Sequence, residues 1–187
     1  MTDKKQMIVM MGGPGTGKGT FSRMLRDMRP NYTHIEVGAI LRAQPDGSQI
    51  RKIIADGNLI PDNTVCDLVA DTLAQTPNNI ILDGFPRTLI QAQWLVKNYA
   101  DKYDIHIIYL NVSDDIMVKR INKRKAEGST RTDDATTKTV HHRIENFHEI
   151  TMPAIRWLSG AGGIVFSDID SSEEESANFA RIVKALD

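Results

Sequence analysis

Nine residues, Gly12 to Thr20, read GGPGTGKGT and constrain this chain more than any others. They directly follow the apolar run MIVMM (7–11). They directly precede Phe21, Met24, Leu25 and Met28, which recur at helical spacing. The order is therefore strand, glycine turn, amphipathic helix, the context in which a G-x-x-x-x-G-K string cradles phosphate. Gly12, Gly17 and Lys18 fit that string. Bare glycine backbone lets consecutive N–H groups turn inward as an anion nest. The helix opening near Lys18 adds its positive end, and the lysine reaches terminal phosphates. Gly19 follows Lys18 where Ser or Thr commonly supplies a magnesium-binding hydroxyl, and Thr20 comes one place late.

Beyond the turn, five short apolar runs read as buried strands: 7–11, 33–37, 79–83, 105–112 and 163–169. Most are continuously apolar, as parallel strands covered on both faces are. Helical patterns separate them, and the last one, Phe179, Ile182, Val183 and Leu186, follows a capping box read from Ser171 to Glu174. The fold class is α/β, with a parallel sheet flanked by helices. The length of 187 residues suits one domain. Residues 124–137, RKAEGSTRTDDATT, are polar and read as an irregular surface segment.

Composition narrows the function. A net charge of −1 argues against a nucleic-acid partner. No run is long enough for a membrane helix, and the apolar run at 7–11 is too short for a signal peptide, so the expected location is cytoplasmic. The single cysteine, Cys66, excludes an internal disulfide and a multi-cysteine zinc site, and reads as a buried helix residue. His141, His142 and His148 cluster in HHRIENFH and read as a solvated helix face, since a zinc site takes three or four ligands.

A second anchor is IILDGFPRT (80–88). Asp83 ends an apolar strand, where a carboxylate can hold magnesium through water. Gly84 and Pro86 turn the chain sharply and aim Arg87 across the carboxyl edge of the sheet, where open α/β sheets bind ligands.

With GGPGTGKGT, VGAILRA, DGNLIPD, DGFPRTLIQA, RTDD and a later HHRI in this order, the sequence resembles the adenylate kinases, or more broadly the nucleoside monophosphate kinases, over nearly its whole length. The resemblance implies a P-loop fold with a five-stranded parallel sheet in a single kinase domain (1–187). Two excursions are implied, one binding the monophosphate (32–62) and one forming a short lid (124–137). It implies transfer of the terminal phosphoryl of ATP to AMP, giving two ADP, in a monomer that uses Mg²⁺ and no zinc and binds small-molecule nucleotides. The ATP side falls to Gly13, Gly15, Thr16, Gly17, Lys18, Gly19, Thr20, Arg120 and Arg124. The AMP side falls to Val37, Gly38, Arg42, Asn58, Leu59, Ile60, Gly84, Arg87, Gln91, Arg131 and Arg143. The catalytic charges are Lys18, Arg87, Arg124, Arg131 and Arg143. Arg120 is placed against the donor adenine, and Asp133 and Asp134 orient lid arginines. Gln91 is placed to read adenine's Watson–Crick edge through its amide.

The chain departs from the family pattern on the acceptor side. Where Ser-Thr-Gly-Asp is usual, it carries Glu36-Val37-Gly38-Ala39. Val37 brings no hydroxyl to the base, Ala39 removes a carboxylate and Glu36 adds one, so weaker discrimination among acceptors is expected. One-residue insertions fall around Thr130 and before Arg143. Two alternatives stand beside the AMP reading. One is a pyrimidine or broad-specificity monophosphate kinase, whose relatives carry Asn soon after the GFPR arginine, where this chain has Thr88. The other is a non-catalytic nucleotide-binding regulator, which should have lost Lys18 or several arginines.

Overall fold

The structure, a computed structural model, describes residues 4–56, 58–128 and 136–187. Five parallel strands form one sheet in the order β2-β3-β1-β4-β5. They are β1 (Lys5–Gly12), β2 (Tyr32–Glu36), β3 (Asn79–Asp83), β4 (Tyr103–Asn111) and β5 (Ile164–Asp170), each within two residues of the runs read from sequence. Side chains of β1 alternate between two apolar layers. Met7, Val9 and Met11 join one core, while Ile8 and Met10 join the other. Both faces are thus covered, which is why the middles of the central strands run almost continuously apolar.

The larger layer is closed by α4 (Asp62–Ala74), α5 (Leu89–Tyr99) and α8 (Met152–Ser159), through residues such as Val69, Leu95 and Leu158. The smaller is closed by α1 (Lys18–Met28) and α9 (Glu175–Leu186), through Phe21, Leu25 and Ile182. The short helices α2 (Val37–Arg42) and α3 (Gln49–Ala55) lie between β2 and α4, and α3 has no buried residue. Helices α6 (Asp114–Ala126) and α7 (Thr137–Asn146) lie between β4 and α8. Cys66 is buried in α4, and burial followed by the Asp62 and Asp67 carboxylates pushes its thiol up to about 11.

Three local expectations are corrected. First, β5 is not a buried strand: it lies at the sheet edge, Val165 is 56% exposed, and only Ile169 is buried. An edge strand covered by fewer elements leaves half its side chains at the surface. Second, Ser171 does not open a capping box. Helix α9 starts at Glu175, its N-cap Glu174 makes no side-chain cap bond, and Ser171 is buried against the phosphate turn. Third, the polar segment 124–137 is not irregular at its ends, because α6 runs on through Arg124 to Ala126 and α7 begins at Thr137. Both ends are solvated helix, which polar composition alone does not separate from loop.

A π-helical turn, Phe147–Thr151, joins α7 to α8 immediately before Pro153, whose missing N–H favours the wider turn. It brings Phe147 against the glycine turn, with a ring carbon 3.2 Å from the point a β-carbon would take at Gly13. Among the described residues, no helix is long and apolar enough to cross a membrane.

Candidate functional site: a cleft at the carboxyl ends of the strands

The chain leaves β1 for β2 on one side of the sheet and crosses from β3 to β4 on the other. The crevice of such a sheet opens at the carboxyl end of the first strand, and here the glycine turn occupies that place. Its backbone is held inward from two sides. Gly15 and Gly17 adopt φ of 77° and 97°, and a β-carbon at either would lie within 2.8 Å of the Met117 carbonyl or the Phe21 ring. Side chains at these two positions are excluded on steric grounds. Thr16 is buried and donates its hydroxyl to the Gly13 carbonyl at 2.9 Å, so it braces the turn from inside. Lys18 caps the turn, its Nζ donating to the Gly12 and Gly13 carbonyls at 2.7 Å each.

The cleft next to this turn measures about 820 Å³. It gathers Lys18, Asp83, Arg87, Arg120, Arg124 and Arg143. These come from four separate elements and the loop after β3, so the sheet edge and not local sequence brings them together. Asp83 is buried at the end of β3, and its Oδ2 lies 3.4 Å from the point a β-carbon would take at Gly19. The carboxylate therefore approaches the loop closely at Gly19. Behind it stands His34, with Nε2 3.8 Å from Asp83 Oδ2. Arg120 reaches across to donate to the Ser171 and Glu173 carbonyls at 2.8 and 3.1 Å, which ties α6 to the loop after β5. Burial depresses its pKa below the usual arginine value.

A second pocket adjoins the cleft, with Gly38, Arg42, Gly84, Arg87 and Arg143 shared between the two. Its apolar wall is Val37, Leu41, Ile60 and Val65, and Asn58, Leu59 and Gln91 line it too. Gly84, at φ 82°, turns the chain out of β3, and the Phe85–Pro86 peptide is cis. Arg87 then folds back so that its Nε donates to the Gly84 carbonyl at 3.0 Å. Its Nη2 lies 3.6 Å, and Arg42 Nη1 3.0 Å, from the point a β-carbon would take at Gly38. Two guanidiniums thus converge over a residue that has no side chain.

The structure places Gln91 differently from the expected free reader. Its amide is buried and engaged at both ends: Oε1 accepts from the Arg87 N–H at 2.8 Å, and Nε2 donates to Asp62 Oδ1 at 2.8 Å. Thr88, which also caps α5 by accepting from the Gln91 N–H, donates to the same Asp62 oxygen at 2.7 Å. One N–H and one lone pair of the amide remain for a ligand. Gly57, Thr130, Arg131, Asp133 and Asp134 lie outside the described residues.

Sequence reasoning missed one site residue and two pairings of residues it had named. Asp62 fixes Gln91, and only the D of DGNLIPD hinted at it. Asn58 accepts or donates at 2.8 Å with His142 of α7, a contact across 84 residues with no local signal. Glu36 pairs with Arg42 at 2.6 Å, although its departure from the pattern was visible.

Comparison with known proteins decides the family. The adenylate kinase family model matches residues 10–162. The chain is 36% identical over 186 residues to an adenylate kinase of Rhodopirellula baltica, covering 96% of this chain and 94% of that one. It is 35% identical over 179 residues to an adenylate kinase of Parvibaculum lavamentivorans, covering 90% and 86%. It is 33% identical over 165 residues to adenylate kinase isoenzyme 1 of Gallus gallus, covering 84% and 82%. The chain belongs to the adenylate kinase family. As an adenylate kinase it has the five-stranded parallel sheet and glycine turn that the sequence implied.

Proposed function

We propose that this chain transfers the terminal phosphoryl of ATP to AMP, and that the two halves of the cleft divide the nucleotides between them. The observation that carries this reading is the pairing of two anion sites in one cleft: the amide-lined turn with Lys18, and the Arg42–Arg87 pair over Gly38. The amides of residues 13–20 and Lys18 would bind the donor's phosphates, with Arg120 and Arg124 on its outer side. The guanidiniums of Arg42 and Arg87 would clamp the acceptor phosphate, its base resting among Val37, Leu59, Ile60 and the remaining amide groups of Gln91. Arg143, shared by both pockets, stands where the transferring group would pass. The acceptor part would be residues 32–62 within a single kinase domain. The lid expected over 124–137 falls mostly outside the described residues, as does the role given to Arg131.

Phosphoryl transfer asks little covalent chemistry of a protein. The attacking acceptor oxygen is already anionic near neutral pH, so no general base is required. What the residues supply is alignment and neutralisation of charge on the equatorial oxygens, by permanently charged, bidentate guanidiniums and an ammonium. Magnesium fits the residues present. Asp83 is a buried hard-oxygen ligand facing the loop across Gly19, and it would hold the ion through water with the Thr20 hydroxyl nearby. The bound ion would supply further neutralisation of phosphate oxygens.

Family membership supports a monomer working in the cytoplasm on small-molecule nucleotides, as does the scatter of exposed large apolar residues over three separate elements (Met28, Ile90 and Val165). The assay that tests the reading supplies ATP with AMP, UMP, CMP, GMP or dAMP and measures ADP and the new diphosphate. ADP formation fastest with AMP is expected. Turnover fastest with UMP or CMP would favour a pyrimidine kinase, and none with any acceptor would favour a regulator.

A further inference from the structure

Glu36 is the last residue of β2 and the N-cap of α2. A side-chain acceptor at that position commonly takes a backbone N–H of the first helical turn. Glu36 makes no such bond. Its carboxylate instead accepts from Arg42 Nη2 at 2.6 Å, the length of a charge-assisted hydrogen bond, with only 30% of the glutamate side chain and 22% of the arginine side chain exposed. The other nitrogen of the same guanidinium, Nη1, is the one that converges with Arg87 over Gly38. One edge of the Arg42 fork therefore faces the acceptor clamp and the other is held by an acid. Glu36 also stands in register with Asp83 on the neighbouring parallel strand, so two carboxylates end adjacent strands side by side.

We propose that Glu36 is the built-in competitor of the acceptor's phosphate: it holds Arg42 until a dianionic phosphate displaces it, and so sets the affinity and charge selectivity of the acceptor site. This rests on the acceptor reading given above. A phosphate seated between Arg42 and Arg87 has two courses. It takes both Arg42 nitrogens and expels Glu36, or it takes one and lies close to a carboxylate. Both cost affinity, and the cost is smallest for a ligand with two negative charges. The site would therefore admit nucleoside 5′-monophosphates, whose second ionisation lies near pH 6, and discriminate against singly charged phosphodiesters such as cyclic nucleotides. Glu36 acts here through Arg42 and is a positioning residue.

The test measures AMP, ATP and adenosine binding calorimetrically, with steady-state kinetics, for the wild type, Glu36→Ser and Glu36→Gln, each also in an Arg42→Ala background. Freeing a partly exposed charge pair predicts AMP binding about two- to fivefold tighter in both variants. KM for AMP should fall in the same ratio while kcat moves less than threefold. ATP and adenosine affinities should stay unchanged. In the Arg42→Ala background the gain should vanish, because the two residues act as one unit. Two results would overturn the proposal: unchanged or weaker AMP binding in both folded variants, or a gain that persists without Arg42. If the wild type neither binds AMP nor forms ADP from it, the acceptor reading itself has failed. If the wild type does both but Glu36 substitutions leave AMP affinity alone, only the role of Glu36 has failed.

Discussion

The two ends of the cleft are built by different means. At the glycine turn the backbone is locked by packing: Phe21 and Leu25 of α1 are buried in the core, and Met117 and Phe21 leave no room for a β-carbon at Gly15 or Gly17. At the other end two side-chain guanidiniums converge, each held by a hydrogen bond: Arg87 with the Gly84 carbonyl, Arg42 with Glu36. They stand near α3, which has no buried residue and only rests the partly buried Ile50, Ile53 and Ile54 on the core. The first arrangement tolerates almost no sequence change. The second is retuned by a single substitution, and that is where this chain departs from its family.

The comparison can be broken by substitutions at each end. The largest effect is expected from Lys18→Met. Removing a charge that acts on the transition state should lower kcat by about a hundred- to a thousandfold, in a protein that still folds. Near-normal turnover in a folded Lys18→Met enzyme would remove the glycine turn from the reaction. Arg42→Ala comes next. A charged hydrogen bond is worth about 1.5–3 kcal/mol, so KM for AMP should rise tenfold or more while the ATP dissociation constant stays put. Equal weakening of both nucleotides would mean the ends are not separate sites.

Gly17→Ala tests the rigid end through stability. A β-carbon at φ 97° would stand 2.8 Å from the Phe21 ring, and left-handed strain alone costs about 1–2 kcal/mol. Differential scanning calorimetry should show Tm lowered by about 2–8 °C. An unchanged Tm would contradict the packing account. The smallest effect belongs to Val37→Thr. One added hydroxyl in the base pocket is worth about 0.5–1.5 kcal/mol, so the preference for AMP over GMP or UMP, read as a ratio of kcat/KM, should sharpen severalfold. A flat ratio would show that this wall does not read the base.

Legibility in the sequence follows the same division. The turn was readable because its chemistry is local: Gly12, Gly17 and Lys18 carry the pattern within seven residues, between a strand and a helix. Arg87 was readable for the same reason, since Gly84 and Pro86 sit beside it. The strands were readable because burial on both faces leaves continuous apolar runs, and the one misjudged, β5, lies at the edge where that rule lapses. What stayed hidden was pairing at a distance. Nothing near Gln91 announces that Asp62 will take its amide N–H, and nothing near Asn58 announces His142. Glu36 lay between: the substitution was plain, but its partner depended on the acid declining the helix cap. Ser171 shows the opposite error, a local cap signal overridden because the residue is buried against the turn.

The central claim is that one phosphate chain spans both anion sites. A crystal structure with two adenosines joined by five phosphates tests it most directly. The account predicts phosphates threaded from the amides of residues 13–20 past Lys18 to Arg42 and Arg87, with Glu36 released from Arg42. A ligand that leaves the glycine turn empty, or Arg42 and Arg87 facing solvent beside a bound ligand, would contradict it.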